Sequence, residues 1–247
     1  MAGGIGGVVD FDGSLTGTSE QLWAPIVSQL GPLELPTGPS SAVIVAPHPD
    51  DETLGAGGLI ADLSHAGWRV DVVVVSDGAR SHPGTAGLAA IRAGEVLGAV
   101  RALGLTGTVS MLEFPDGRLG ELTAPVVDAL QPHIDGHRLI VGPWGHDGHP
   151  DHEATGAAVR RAMARSEGPN PGERRLLRYP VWAWHWATPS TLDLRSAAAW
   201  AVSPRAQAAK RGAIESYRSQ RTAAFGPVIV GDHLLPYFLR SHEVFWC

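Results

Sequence analysis

Two short segments of this chain concentrate side chains that bind metals and move protons. The first is APHPDDE at 46–52, and the second is HDGHPDH at 146–152. Imidazole and carboxylate groups are natural zinc ligands, and a catalytic zinc commonly takes three protein ligands and one water. The two segments offer more groups than one metal needs: His48, Asp50, Asp51, His146, Asp147, His149, Asp151 and His152. The surplus can supply an acid and a base, so the pattern predicts a metal-dependent hydrolase.

Each segment alone also has a purely structural interpretation. Asp50 and Asp51 can cap a following helix, because carboxylates satisfy free N–H groups and favour the positive end of the helix dipole. The second segment can be a polar turn. Each segment, however, follows a short apolar run that is typical of a buried strand, at 42–46 and 139–141. The two occurrences together favour the functional interpretation.

Strand-like runs alternate with helical patterns along the chain. Strands are predicted at 42–46, 69–75, 108–112, 139–141 and 177–186. Helices are predicted at 53–66, 89–103, 124–132, 151–165 and 203–220. This alternation predicts an α/β fold with a mostly parallel sheet and helices on both faces. Ligands of such sheets bind beyond the carboxyl ends of the strands, which is where both segments lie.

The N-terminal stretch differs in composition from the rest of the chain. Residues 1–39 are rich in Gly, Ser, Thr and Pro. Within them only 19–30 has helical spacing, with Leu22, Ile26 and Leu30 on one face. We predict an N-terminal extension at 1–39 that packs on one domain at 40–247.

Composition excludes several classes of protein. A net charge of −6 argues against a nucleic-acid surface, and no apolar run reaches the roughly 18 residues of a membrane span. The one cysteine, Cys247, allows no disulfide within the chain and has no nearby partner motif for nucleophilic catalysis. With no export signal at the start, we predict a cytoplasmic protein. The two aspartates after the first strand would repel a dinucleotide pyrophosphate, which argues against nucleotide binding.

The two segments resemble the defining motifs of the LmbE-like, or PIG-L, zinc de-N-acetylases. The similar stretches are HPDDETLG at 48–55 and HPDH at 149–152, and weaker similarity extends over about 40–247. The resemblance implies a Rossmann-like fold, a bound Zn²⁺ (Fe²⁺ is the alternative metal) and a small-molecule amino-sugar or glycoside substrate. The expected reaction is hydrolytic removal of an N-acetyl group.

The resemblance also assigns the metal ligands and the base. His48, Asp51 and His152 would bind the metal. Asp50 would act as the general base toward the attacking water. Spacing alone does not decide which of the two neighbouring aspartates binds the metal.

Further roles follow from the same resemblance. His149 would stabilise the oxyanion or protonate the leaving amine, and Asp151 would orient a histidine. Arg92 and Asp116 match positions that contact substrate sugar groups in the family. The position at which some members carry an oxyanion-binding tyrosine is Asp147 here, so His149 and the metal would carry that charge.

Three tryptophans alternate in WAWHW at 182–186. In a strand they would all face one way and could stack against a sugar or an aromatic aglycone. We predict Trp184 as a substrate contact; the alternative is that the tryptophans pack a helix against the sheet.

Two other functions are compatible with the same motifs. One is hydrolysis of a non-sugar amide, such as a thiol conjugate or an acylated natural product. The other is a non-catalytic metal-binding or sugar-binding module, which the complete set of acid–base groups disfavours.

Overall fold

A seven-stranded sheet organises the chain in the computed structural model, which describes residues 17–35, 40–166 and 174–247. The strands are β1 (Ser41–Ala46), β2 (Arg69–Ser76), β3 (Val109–Phe114), β4 (Leu139–Pro143), β5 (Arg175–Tyr179), β6 (Ala197–Ala201) and β7 (His242–Trp246). Their order in the sheet is β3-β2-β1-β4-β5-β7-β6. The first five are mutually parallel, whereas β7 pairs antiparallel with both of its neighbours.

Helices cover both faces of the sheet. They are α1 (Glu20–Val27), α2 (Asp51–His65), α3 (Leu88–Leu103), α4 (Thr123–Ile134), α5 (Pro150–Arg165), α6 (Ala183–Trp186), α7 (Pro204–Ile214), α8 (Arg218–Arg221) and α9 (Leu235–Phe238). Alternate residues of β1 enter two separate cores: Ile44 packs with α2, α3 and α7, and Val43 packs with α4 and α5. The predicted α/β architecture with a mostly parallel sheet is therefore confirmed.

The strand order reverses between β1 and β4. From β1 the chain winds outward through β2 to β3, and then returns to place β4 on the other side of β1. Because both strands are parallel, their carboxyl ends lie side by side at this switch point. Open α/β sheets bind ligands at such a point. The loops after β1 and β4 are the two segments that carry the histidines and aspartates.

The predicted strand at 177–186 is wrong beyond Tyr179. Strand β5 ends there, and the tryptophan-rich residues form α6 instead. The carboxylate of Asp147 accepts hydrogen bonds from the backbone N–H groups of Val181, Trp182 and Ala183. This contact turns the chain into a helix, so the three tryptophans do not share one face of a strand.

Two further parts of the helix and strand prediction differ from the structure. The helix expected over 203–220 ends at Ile214 and is followed by the separate short helix α8. Strands β6 and β7 were not predicted, since Ala197–Ala201 lacks the β-branched residues that mark strands.

The first helix buries a different face from the predicted one. Trp23 and Val27 are buried, while Leu22 is 58% exposed. The indole Nε1 of Trp23 donates to the carbonyl oxygen of Trp184 at 2.9 Å, which ties α1 to α6. Residues 17–35 thus pack on the sheet domain. Residues 1–16 and 36–39 of the predicted extension lie outside the described residues, and its domain boundary stays a prediction. No helix in the described ranges has the length and apolarity needed to cross a membrane.

The buried face of α1 can be tested with two neighbouring residues. Trp23→Ala removes a fully buried indole, and we expect it to lower the free energy of unfolding by about 3–5 kcal/mol. Leu22→Ala should change it by no more than about 0.5 kcal/mol, because that side chain is exposed. Urea denaturation of both variants measures the difference. Equal effects would contradict the orientation of α1.

Candidate active site

The loop after β1 holds Asp50 in an unusual backbone conformation. Its φ is 148° and its ψ is −28°, a region that L-residues rarely adopt. The Asp50 N–H donates to Glu52 Oε2 at 3.2 Å. Such a conformation costs on the order of 1–3 kcal/mol and persists only where the surroundings enforce it. The contacts around Asp50 must therefore offset the cost of this conformation.

Arg92 supports the same loop from α3. Its guanidinium Nη2 donates to Pro49 O at 2.6 Å and lies 3.1 Å from Asp50 Oδ2, and Nη1 donates to Gly78 O at 2.9 Å. Only 3% of Arg92 is exposed. Burial raises the pKa of Asp50 to about 7; Arg92 opposes the shift and the neighbouring Asp51 adds to it. A carboxylate with a pKa near neutrality suits general-base catalysis.

Asp51 joins the two segments. Its Oδ2 lies 3.1 Å from His48 Nδ1 and 3.1 Å from His152 Nε2. All three side chains are buried. Burial opposes ionisation of Asp51, but the charges and hydrogen bonds of the two histidines bring its pKa well below the usual range. The three side chains therefore converge with complementary charge.

A second carboxylate fixes the orientation of His152. Its Nδ1 donates to Asp147 Oδ2 at 2.8 Å, and Asp147 is fully buried. When Nδ1 carries the proton of the neutral ring, the Nε2 lone pair points toward Asp51. Nε2 is buried and makes no regular hydrogen bond among the described residues, but Asp51 Oδ2 lies 3.1 Å from it. A histidine whose one nitrogen is held by a carboxylate while the other lies beside a second candidate ligand matches the arrangement of metal-ligating histidines.

The electrostatics of this pair favour a cation. Burial lowers the pKa of His152, but Asp51 and Asp147 outweigh it and raise the value to about 9. The same two carboxylates that hold a proton on the ring would attract a metal ion. Two imidazoles and one carboxylate also form a donor set that suits zinc.

Two alternative ligand groups can be drawn from the geometry. His48, His149 and His152 each place a ring nitrogen within 4.8 Å of the others, and a ring nitrogen of His48 lies equally close to carboxylate oxygens of Asp116 and Asp151. The first group shares two members with the predicted set. We favour Asp51 over His149 as the third ligand, because Asp51 contacts both other members at 3.1 Å. The ligand assignment itself stays a prediction.

Asp151 and Asp116 contact Nε2 of His48, the ring nitrogen that does not face Asp51. His48 Nε2 lies 3.3 Å from Asp151 Oδ2 and 3.3 Å from Asp116 Oδ1. Asp151 is itself held by the backbone N–H groups of Gly117 at 2.7 Å and Leu119 at 3.1 Å. If Asp151 orients a histidine, as the resemblance implies, His48 is the histidine that it contacts.

His149 lies at the start of α5 beside the other two histidines. Its ring centroid is 4.8 Å from those of His48 and His152. Its Nδ1 accepts the N–H of Asp151 at 3.2 Å, so the proton of the neutral ring sits on Nε2. Burial and the charges of the two histidines lower the pKa of His149 to about 3. Of its two predicted roles, this favours hydrogen-bond donation to an oxyanion over delivery of a proton.

The remaining predicted residues lie at different depths. Asp116 is at the edge of the site, where its Oδ2 accepts the N–H of Arg80 at 2.9 Å. Trp184 is 3% exposed and packs against Trp23, with the Arg240 guanidinium 4.2 Å above its ring. This position favours the packing role for Trp184. His146 is exposed, and its ring lies against Trp144 instead of in the cluster.

Sequence reasoning missed the roles of three residues of the site. Asp147 was counted among the candidate ligands and as a departure from the family pattern, but its contact with His152 was not predicted. Glu52 lay inside the motif without a role; its Oε1 accepts hydrogen bonds from Tyr217 OH and from Thr53 Oγ1. No local pattern marks Tyr217, which comes from the loop after α7.

The sequence comparisons agree with this geometry. A profile of the PIG-L family, described as GlcNAc-PI de-N-acetylase, matches residues 43–163, which contain both segments. The chain belongs to the PIG-L family. A probable N-acetyl-α-D-glucosaminyl L-malate deacetylase 2 of Bacillus cereus is 32% identical over 134 residues, or 50% of this chain and 60% of the relative. A diacetylchitobiose deacetylase of Thermococcus kodakarensis is 30% identical over 136 residues, or 51% of this chain and 50% of the relative. The chain thus spans between half and three fifths of the length of these curated relatives.

Solved structures share the fold. The N,N′-diacetylchitobiose deacetylase of Pyrococcus horikoshii, in complex with an inhibitor, has a TM-score of 0.62 at 23% identity, covering 83% of this chain and 82% of that one. The zinc-inhibited form of a teicoplanin deacetylase has a TM-score of 0.63 at 20% identity, covering 84% and 97%. The similarity of fold therefore covers a larger part of this PIG-L chain than the family match at residues 43–163.

The contact between Asp147 and His152 yields a test of metal binding. In Asp147→Asn the side-chain amide can donate to Nδ1, which would move the ring proton to Nε2 and block the lone pair. We expect zinc affinity to fall about 10- to 100-fold, as for other residues that orient metal ligands. Competition with a chromophoric chelator measures the Kd.

His146→Ala is the matched control, because His146 belongs to the same segment but lies outside the cluster. Its zinc affinity should equal that of the unmodified chain. A Kd for Asp147→Asn within twofold of that value would contradict the role given to Asp147.

Proposed function

We propose that this chain is a zinc-dependent hydrolase that removes an N-acetyl group from an amino sugar or a glycosylated small molecule. The observation that carries the proposal is the convergence of His48, Asp51 and His152 beside a carboxylate, Asp50, whose pKa lies near 7. Membership of a de-N-acetylase family supports the same reaction.

The three convergent side chains would hold the zinc ion. Their fit rests on the buried Nε2 of His152, which makes no regular hydrogen bond among the described residues, and on the 3.1 Å contacts of Asp51 with both histidines. When bound, zinc lowers the pKa of a coordinated water and polarises the amide carbonyl.

Asp50 acts as the general base. Its carboxylate accepts a proton from the water as the water oxygen attacks the acetyl carbonyl carbon. The strained backbone and the Arg92 contact keep this carboxylate in the crevice in one orientation. When the C–N bond breaks, protonated Asp50 can return its proton to the departing amine nitrogen, so that acetate and the free amine are released.

His149 stabilises the charge that develops on the carbonyl oxygen. Its Nδ1 is occupied by the Asp151 N–H, so its Nε2–H is available as a donor. A preorganised donor of this kind contributes about 10²–10³-fold to turnover. The Asp147 carboxylate is occupied by His152 and by the backbone at the start of α6, so we assign it no contact with the oxyanion.

The relatives and the rim of the site support one substrate class. The two curated relatives described above are named for an N-acetylglucosaminyl malate and for diacetylchitobiose. Asp116 lies at the rim and contacts His48, so a hydroxyl of a bound sugar could reach its carboxylate beside the reacting centre. We therefore assign an acetamido sugar as the substrate class.

Two substitutions should distinguish the proposed roles of Asp50 and Asp51. Asp50→Asn keeps the three ligands but removes the base, so we expect unchanged zinc content and a loss of 10²–10⁴-fold in kcat. Asp51→Ala removes a ligand, so zinc content and activity should fall together. Metal analysis combined with steady-state kinetics measures both. Loss of zinc in Asp50→Asn with retention in Asp51→Ala would reverse the assignment.

A substrate panel tests the reaction itself. Purified zinc-loaded protein is incubated with N-acetylated amino sugars, glycosylated antibiotics and acylated thiol conjugates, and released acetate and free amine are measured. We expect equimolar acetate and amine from an acetamido sugar. Release from the non-sugar amides alone would replace the proposed substrate with the alternative class, and no release by a zinc-loaded chain would contradict the hydrolase function.

A further inference from the structure

Helix α2 is broken one turn after it begins. It runs from Asp51 to His65, but Ala56 has a φ of −140° and a ψ of 15°, which are not helical. The turn before the break carries Asp51 and Glu52, two residues of the candidate site. The direction of this turn relative to the rest of α2 therefore decides where the Asp51 carboxylate points.

A buried ion pair fills the break. Glu243 of β7 accepts the N–H of Gly58 on Oε1 at 2.6 Å and the N–H of Leu59 on Oε2 at 2.8 Å. Lys210 of α7 donates from Nζ to Leu54 O at 2.8 Å and to Glu243 Oε1 at 2.7 Å. Lys210 and Glu243 are 3% and 6% exposed.

The pair occupies backbone groups that would pair with each other in an uninterrupted helix. In an uninterrupted α-helix the N–H of Gly58 would donate to the carbonyl oxygen of Leu54, four residues earlier. Here Gly58 N–H donates to Glu243 and Leu54 O accepts from Lys210, so two side chains stand between the two backbone groups. Side chains inserted into the backbone ladder are a known cause of sharp helix kinks.

Glycines at the break admit the inserted side chains. A Cβ at Gly57 would lie 3.1 Å from Lys210 Cγ. A Cβ at Gly58 would lie 2.6 Å from Val202 Cγ1 and 3.0 Å from Glu243 Oε1. Larger residues would push the pair out of the helix. The GAGG sequence at 55–58 therefore matches the ion pair, and both serve the same local geometry.

Stability alone gives a poor account of this pair. Two buried charges lose their hydration, and well-packed apolar residues of similar volume are often as stable or more so. We propose that Lys210 and Glu243 are positioning residues of the metal site: by holding α2 broken at Ala56, they direct the Asp51 carboxylate toward His48 and His152. This inference rests on the proposed role of Asp51 as a zinc ligand.

The test removes both charges together. The double variant Lys210→Met/Glu243→Met leaves no unpaired buried charge, and Leu54 O and Gly58 N–H can re-form their helical bond. We expect the variant to fold, with zinc Kd raised about 10- to 100-fold, the range found for residues that orient ligands. Chelator competition measures the Kd, and thermal unfolding of the metal-free protein measures stability.

Asp71→Asn is the matched control for lost buried polar contacts. Asp71 is 5% exposed, accepts from Thr108 N at 2.7 Å and lies near the start of β2, at the opposite end of the sheet. It should lower thermal stability without changing zinc Kd. If the double variant does not fold, Glu243→Gln retains one acceptor and should raise the Kd in the same direction.

The outcomes separate this inference from the proposed function. Tight zinc binding by the unmodified chain with a Kd within twofold in the double variant would overturn the positioning role alone. An equal rise in Kd for Asp71→Asn would also overturn it, since the effect would then follow stability. Failure of the unmodified chain to bind zinc would overturn the proposed metal site together with this inference.

Discussion

One carboxylate oxygen connects the two halves of the site. Asp51 Oδ2 lies 3.1 Å from a nitrogen of His48, in its own loop, and 3.1 Å from a nitrogen of His152, on a helix about a hundred residues later in the chain. The contact requires the ends of β1 and β4 to lie side by side, which the reversal of strand order provides. The other features of the site arrange groups around this oxygen: Asp147 fixes one histidine, Asp151 and Asp116 contact the other, and the break in α2 sets the direction of the carboxylate itself.

Charge balance explains why so many ionised groups can share a buried crevice. An isolated carboxylate in such surroundings would lose its charge, because burial raises its pKa. Here each acidic group has a partner: backbone N–H groups for Asp147 and Asp151, a guanidinium for Asp50 and imidazoles for Asp51. For Asp50 burial outweighs the guanidinium and raises the pKa to about 7, whereas the partners of Asp51 and Asp151 lower the pKa values of those two groups. The arrangement separates two adjacent aspartates into a firmly ionised group and a group that can exchange a proton.

The sequence was sufficient where local pattern determines structure. The apolar runs that became β1, β2 and β4 and the two motif segments predicted the architecture, the location of the crevice and the residues that meet there. It was insufficient where distant contacts decide. The face of α1 depends on a hydrogen bond from Trp23 to α6, and α6 exists because a carboxylate from the β4 loop caps it. Tyr217 and the Lys210–Glu243 pair reach the site from α7, its following loop and the last strand, and no spacing rule relates them to residues 51–58.

The backbone of Asp50 sets a conflict between folding and chemistry. Its φ of 148° is a conformation that glycine adopts at little cost and aspartate adopts under strain. Glycine at this position would relieve that strain but would remove the carboxylate that we propose as the general base. Many enzymes show this trade between stability and activity at their catalytic positions. In this chain the strain and the proposed base coincide in one residue, so a change that relieves the first also removes the second.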